Sequence, residues 1–348
     1  MNFEQVQKVL DERNEPGFRM KQIKQAVFVN LISSWEEVTT FSKDLRAALA
    51  ATPVSSLTVE ETLKSADGHT EKVLFGLADG DAKRPEHRAE RGGEKIEAVL
   101  IKSKDERNTV CVSSQAGCSL ACAFCATGKM GCRRDLTAEE IVDQVMHFAR
   151  ELKKSGDHIS NVVVMGMGEP FLNYDNVLKA LRTLNDKEGF NMGARSLSVS
   201  TSGIIPGIQR FAHENFQVNL AISLHAPNDT LRSKLMPINR KYHLKDVMAA
   251  VEEYVKLTNR KVFFEYLLID RVNDNDNNAE ELAKLMSANH LYHVNLIKYN
   301  VTSGKFRASP YERREAFKNI LEKHRIPVTF RVSFGEDISA ACGQLAGR

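Results

Sequence analysis

Apolar residues recur at helical spacing through roughly the first fifty positions. Phe3, Val6, Val9 and Leu10 come first, then Ile23, Ala26 and Val27 after the breaker pair Pro16-Gly17. The period then shortens. Residues 56–64 and 70–77 read as two short strands around a turn holding Asp67-Gly68. The run from Asp79 to Gly93 is charged and aperiodic, and reads as an exposed, mobile loop at the end of an N-terminal module, residues 1–90. From 91 to 348 strands and helices alternate. Strand-like runs fall near 109–113, 161–165, 196–200, 218–223, 262–268, 293–298 and 327–333, with helical patterns at 245–257, 279–289 and 311–324. Another helix starts at the capping box Thr137-Ala138-Glu139-Glu140, where hydroxyl and carboxylate each satisfy a free backbone N–H. Such alternation predicts an α/β fold with a parallel sheet and crossover helices. Periodicity alone leaves an open sheet and a barrel both standing.

Composition adds bounds. The chain has 348 residues, 42% hydrophobic and 27% charged, as expected of a globular protein able to bury a sizeable core. No apolar run reaches the roughly 18 residues of a membrane-spanning helix, and no secretory signal opens the chain, so a cytoplasmic location is expected. The net charge of +3 permits an RNA partner without arguing for one.

The cysteines carry more. Cys111, Cys118, Cys122, Cys125 and Cys132 crowd together, and Cys342 stands alone near the C-terminus. In a cytosolic chain this points to metal or redox chemistry rather than a disulfide framework. Cys118, Cys122 and Cys125 form C-x3-C-x2-C after a strand. Three thiolates can fold over one iron–sulfur cubane and leave one iron open to a small chelating molecule. A structural zinc site, with Cys111 or Cys132 as fourth ligand, is the alternative. Zinc sites more often join two separated pairs.

The motif Cys118-Ser119-Leu120-Ala121-Cys122-Ala123-Phe124-Cys125 resembles that of the radical S-adenosylmethionine (SAM) superfamily. Further motifs narrow the likeness: Val112-Ser113-Ser114-Gln115-Ala116-Gly117-Cys118, Met165-Gly166-Met167-Gly168-Glu169-Pro170, Ser200-Thr201-Ser202-Gly203, Ser223-Leu224-His225-Ala226-Pro227-Asn228 and Ala340-Ala341-Cys342-Gly343-Gln344-Leu345. In this order they resemble the RlmN/Cfr family of RNA adenine methyltransferases. The resemblance implies a partial (β/α)6 barrel with a small, mainly helical N-terminal accessory domain that binds RNA. It implies one [4Fe-4S] cluster on Cys118, Cys122 and Cys125, with SAM chelating the open iron. Gly168, Glu169, Ser200, Ser223, Leu224, His225 and Asn300 would bind SAM.

By the same resemblance Cys342 accepts a methyl group, and Cys111 resolves the resulting RNA adduct by forming a disulfide with it. Glu97 matches the proposed base, although its spacing to Cys111 is one residue longer than usual, and an exposed glutamate at a strand start is the plainer reading. RNA (rRNA, tRNA or both) and an electron-donating reductant are the implied partners of a monomer. Glu169-Pro170 and the run through Asn228 look like the branch that methylates carbon 2. Lys298 and Val332-Ser333-Phe334-Gly335 look like the branch that methylates carbon 8. Carbon 2 is favoured. Lys129, Arg133, Arg134, Arg307, Arg313 and Arg314 are candidates for phosphate contacts. Asp274 to Asn278 imitates the start of a calcium loop, but Ala279 replaces the needed glycine. The competing functions are a radical SAM enzyme of another reaction class and a zinc-containing RNA-binding protein. The first needs neither Cys111 nor Cys342.

Overall fold

The computed structural model describes residues 1–77, 93–103, 105–302 and 305–347. The run expected to form a mobile loop therefore lies, apart from Gly93, outside the described residues.

The N-terminal pattern forms α1 (Phe3–Glu12), α2 (Phe18–Lys24) and α3 (Lys43–Leu49), with α2 running on into a π turn over Gln25–Val29. The Asn2 side chain caps α1 by accepting from the N–H groups of Glu4 and Gln5. Val6, Leu10, Ile23, Leu45 and Leu49 are buried, as their spacing requires.

Ten strands form one mixed sheet: β1 (Leu57–Lys64), β2 (Thr70–Leu77), β3 (Lys95–Lys102), β4 (Asn108–Val112), β7 (Asn161–Val164), β8 (Leu197–Thr201), β9 (Asn219–Ser223), β10 (Val262–Leu268), β11 (Tyr292–Lys298) and β12 (Val328–Arg331), in that spatial order. β1 to β4 pair antiparallel, and β4 with β7 to β12 is parallel throughout. A separate hairpin joins β5 (Gln115–Cys118) to β6 (Gly131–Asp135). The radical SAM α/β architecture expected from the motifs is the one observed. The sheet continues from β2 to β3 across residue 90, where the expected N-terminal module ends.

The crossover helices are α4 (Ala138–Lys153), α5 (Tyr174–Asn185), α6 (Ile205–Ala212), α7 (Asp229–Leu235), α8 (Leu244–Thr258), α9 (Asp276–Met286) and α10 (Tyr311–Lys323). The Thr137 box caps α4 as read: Glu140 N–H donates to the Thr137 hydroxyl and Thr137 N–H to the Glu140 carboxylate. Val110, Val112, Val162, Val164, Val199, Leu220 and Ile222 are all essentially inaccessible, and on β4, β7 and β8 they alternate with half-buried residues that face the other side of the sheet. The calcium-like run is a helix start: Asn275 accepts from Asn278 N–H as the N-cap of α9.

The sheet edges, β1 and β12, do not pair with each other. The C-terminal segment crosses the gap. Asp337 accepts from Ala66 N–H, and Ala346 and Gly347 reach Glu97 on β3. Among the described residues no helix is long and apolar enough to cross a membrane.

Candidate active site

The β5–β6 pairing sets Cys118 opposite Gly131 and closes the base of the cysteine loop. Gly117 has φ +83°, and a Cβ there would fall 1.9 Å from the Gly131 carbonyl oxygen, so only glycine allows this approach. Burial pushes the Cys118 thiol up to about 12. Burial, then Cys125 and Cys118, push Cys122 upward. Among the described residues no three His, Cys, Asp or Glu side chains converge to hold a single ion. A cubane binds each thiolate at a different iron corner and needs ligands spread more widely than one zinc ion does. Three mutually interacting thiols on one short stretch suit the separate corners of a cubane. Cys132 pairs across from Gly117 and its side chain is exposed.

The loop after β7 lies beside this hairpin. Gln115 binds both: its side-chain carbonyl accepts from Glu169 N–H at 2.8 Å and its amide donates to Asp135 at 2.7 Å. Gly168 has φ +103°, with Gln115 where a Cβ would stand. Glu169 is buried, and its carboxylate accepts from Phe171 N–H at 3.0 Å and Ser202 N–H at 2.8 Å. Those bonds tie the end of β7 to the end of β8. Burial raises its pKa and these bonds oppose the rise.

Ser200 and Ser223 oppose their hydroxyls at 3.3 Å across β8 and β9. Leu224 and His225 follow, both buried. His225 has φ +56° and stacks edge-on against Phe124 of the cysteine loop, ring centroids 4.9 Å apart. Asn300, beyond the end of β11, is buried. It donates to the Cys342 carbonyl at 3.3 Å, while its own oxygen has no partner. A buried orphan acceptor at a strand end suits the ammonium of an amino-acid ligand. The SAM residues expected from sequence thus gather at the C-terminal ends of the parallel strands, where such sheets place their sites.

Cys342 is carried over this rim by the C-terminal segment. Gly343 carbonyl accepts from Ala126 N–H, and Leu345 carbonyl from the Thr127 hydroxyl. The Cys342 thiol keeps accessible surface although protein surrounds it, and burial, then Glu265, raises its pKa. Cys111 is pushed up to about 12 by burial and, next, by Cys342. The two thiols are therefore within electrostatic reach. Both are free, so the expected disulfide between them is not made in this structure.

Glu97 is not an exposed strand-start residue. It lies inside β3, 1% exposed, paired with Lys72 at 2.9 Å. The β3–β4 register is unbroken from Val99–Cys111 to Lys102–Asn108, so extra length falls in the turn beyond.

Three residues escaped the sequence reading. Glu265 is buried on β10, in register with Ser223 and Asn295, and accepts from Asn295 at 2.8 Å. Arg232 on α7 is fully buried and donates to the carbonyls of Ser202, Ser223 and Leu224 and to the Asn239 side chain. Lys72 is the third. Only Glu265 left a trace, the one charged residue in the apolar run Val262–Leu268. Of the expected phosphate contacts, Arg134 is committed to Glu140 through both guanidinium nitrogens, and Arg313 to Asp276 and the Asp274 carbonyl. Arg133 and Arg307 are exposed. An open groove of about 610 Å³ along α5 lies away from this site, and Arg182–Glu214 and Lys179–Glu139 pairs occupy its charges.

Residues 112–286 match the Radical SAM superfamily. A protein of Chloroflexus aurantiacus named "Probable dual-specificity RNA methyltransferase RlmN" is 44% identical over 100% of this chain and 92% of its own length. A protein of the same name from Streptococcus mutans is 44% identical over 96% and 90%. The crystal structure of a radical SAM methyltransferase from Sphaerobacter thermophilus superposes with a TM-score of 0.93 at 45% identity, covering 100% of this chain and 98% of that one. With the cysteine loop, the strand-end residues and the overlying Cys342 in place, the chain belongs to the radical SAM superfamily and, within it, to the RlmN family of methyltransferases.

Proposed function

We propose that this methyltransferase modifies a ring carbon of adenine in RNA, carbon 2 in preference to carbon 8, through a methyl group carried on Cys342. The observation that supports this reading best is the position of Cys342. It interacts with Cys111 on one side and with Cys125 of the cysteine loop on the other. In this reading Cys118, Cys122 and Cys125 hold one [4Fe-4S] cluster. Gly168, Glu169, Ser200, Ser223, Leu224, His225 and Asn300 hold SAM. When bound, cluster and SAM supply a carbon-centred radical able to take hydrogen from a methyl group.

The chain's own residues do the rest. Burial, then the Glu265 carboxylate, raises the Cys342 pKa and favours the thiol over the thiolate. A SAM sulfonium bound within reach would favour the thiolate, which would attack the methyl carbon and release S-adenosylhomocysteine. After hydrogen loss the methylene radical on Cys342 adds to the adenine carbon, and the adduct gives up its unpaired electron, which the oxidised cluster would take back. Glu97 takes the ring proton. The Cys111 thiolate then attacks the Cys342 sulfur. The carbon–sulfur bond breaks, the released carbon takes a proton to complete the methyl group, and a disulfide remains for an external reductant to reopen. The adenine must leave its stack to be reached. The N-terminal helical module binds the RNA, and the chain works as a monomer.

The test is nucleoside mass spectrometry of rRNA and tRNA from a host lacking its own adenine carbon methylases. The host expresses the wild type or Cys342→Ala. Methyladenosine, 2- or 8-substituted, appears only with the wild type. Its absence despite an intact cluster overturns the substrate and moves the chain to another radical SAM reaction class.

A further inference from the structure

Lys72, Val99 and Cys111 stand in register across β2, β3 and β4, so their side chains and that of Glu97, two residues along, share one face of the sheet. On that face the Lys72 ammonium meets Glu97 Oε1 at 2.9 Å, with side-chain exposures of 7% and 1%. Removing both charges from water is costly, and a buried pair of this kind is poor evidence of a gain in stability. The remaining partners of the pair are informative. Glu97 Oε2 accepts from Ala346 N–H at 2.6 Å and Gly347 N–H at 3.0 Å. The Lys72 ammonium donates to the Ser339 carbonyl at 3.4 Å. The pair therefore grips the C-terminal segment on both sides of Cys342, three residues before it and four and five after it.

We propose that Lys72 and Glu97 form a two-sided latch that positions Cys342, with Lys72 as a positioning residue for the methyl-carrying thiol. Charge-assisted bonds from backbone N–H groups to a carboxylate are stronger than neutral ones, and the Lys72 ammonium holds the other oxygen of the same carboxylate. The value of holding Cys342 rests on its proposed role as methyl acceptor; the latch itself does not.

Hydrogen-exchange mass spectrometry of the cluster-loaded protein tests the latch without RNA or added SAM. Lys72→Met is expected to speed exchange in residues 339–347 at least about tenfold, the loss expected from a broken charge-assisted bond. Peptides from α8 and β10 stay unchanged, and Lys72→Arg restores most of the protection. Wild-type protection of 339–347 in folded Lys72→Met overturns the proposal. Should that variant fail to fold, leaving Glu97 buried and unpaired, the neutral double variant Lys72→Met/Glu97→Gln decides. The latch requires the same local loosening there, and unchanged protection overturns it. A wild type that shows the latch but methylates no RNA would fail the proposed function and leave the latch standing.

Discussion

The backbone N–H of Leu267 donates to Nδ1 of His225 at 3.1 Å. That bond fixes the imidazole as neutral, with its proton on Nε2. Burial, and then Arg232, hold its pKa down at about 3. A histidine depressed in the folded state contributes stability that is fully present above its unfolded pKa of about 6.5 and is lost as pH falls toward the folded value. The wild type should therefore lose about 2 kcal/mol more than His225→Asn between pH 7 and pH 5. Urea denaturation of both at the two pH values checks this; equal losses would show that the ring titrates normally.

Arg232 joins the ends of β8 and β9 through three carbonyls, and among the described residues no carboxylate bonds to it directly. Burial, offset by Cys122 and Asp229, pulls its pKa down to about 10, still fully charged at neutrality. Lysine keeps the charge but cannot reproduce the fork of donors. Arg232→Lys is expected to cost about 2–4 kcal/mol through unmet buried carbonyls. It should also weaken SAM binding, because Ser223 and Leu224 lose their brace. Denaturant midpoints and calorimetric SAM titration of the same preparation measure the two effects.

Glu265 bears on the Cys342 thiol. Burial is the larger cause of the raised Cys342 pKa and the Glu265 carboxylate the next. Replacing that carboxylate with a neutral amide removes only the second. Glu265→Gln should shift the alkylation profile of Cys342 to lower pH and still leave it above an ordinary thiol near 8.5. Peptide-resolved iodoacetamide rates against pH read this directly, with exposed Cys132 as internal control.

What the sequence disclosed follows the physics of each signal. The parallel strands were visible as short apolar runs, as in Val162 to Val164, or as apolar–polar alternation, as in Leu197 to Thr201. The β5–β6 hairpin was invisible, since Gln-Ala-Gly-Cys and Gly-Cys-Arg-Arg-Asp have no alternation; tertiary fit around Gly117 forms it. The cysteine loop and strand-end motifs were legible because their chemistry is local in sequence. Arg232 was not, because seven ordinary helical residues, Asp229–Leu235, give no sign that one side chain turns inward. Glu97 was found by resemblance, but its partner Lys72 and the tail amides it holds are far away along the chain, and only the folded sheet brings them together.

The cysteines can be sorted by iron content. Cys118, Cys122 and Cys125 lie on one loop, whereas Cys132 is exposed on β6 and Cys111 and Cys342 interact with each other outside that loop. A cubane deprived of one of its three protein ligands has lost a third of its anchorage, and Cys132, exposed on β6 beside Cys118, lies outside the C-x3-C-x2-C spacing. Alanine at 118, 122 or 125 should therefore give colourless protein after anaerobic reconstitution. Alanine at 111, 132 or 342 should keep about four iron atoms per chain and the broad absorption of the cluster. Iron loss in Cys132→Ala, or zinc in place of iron in the wild type, would restore the zinc-site reading and undo the cofactor assignment on which the chemistry rests.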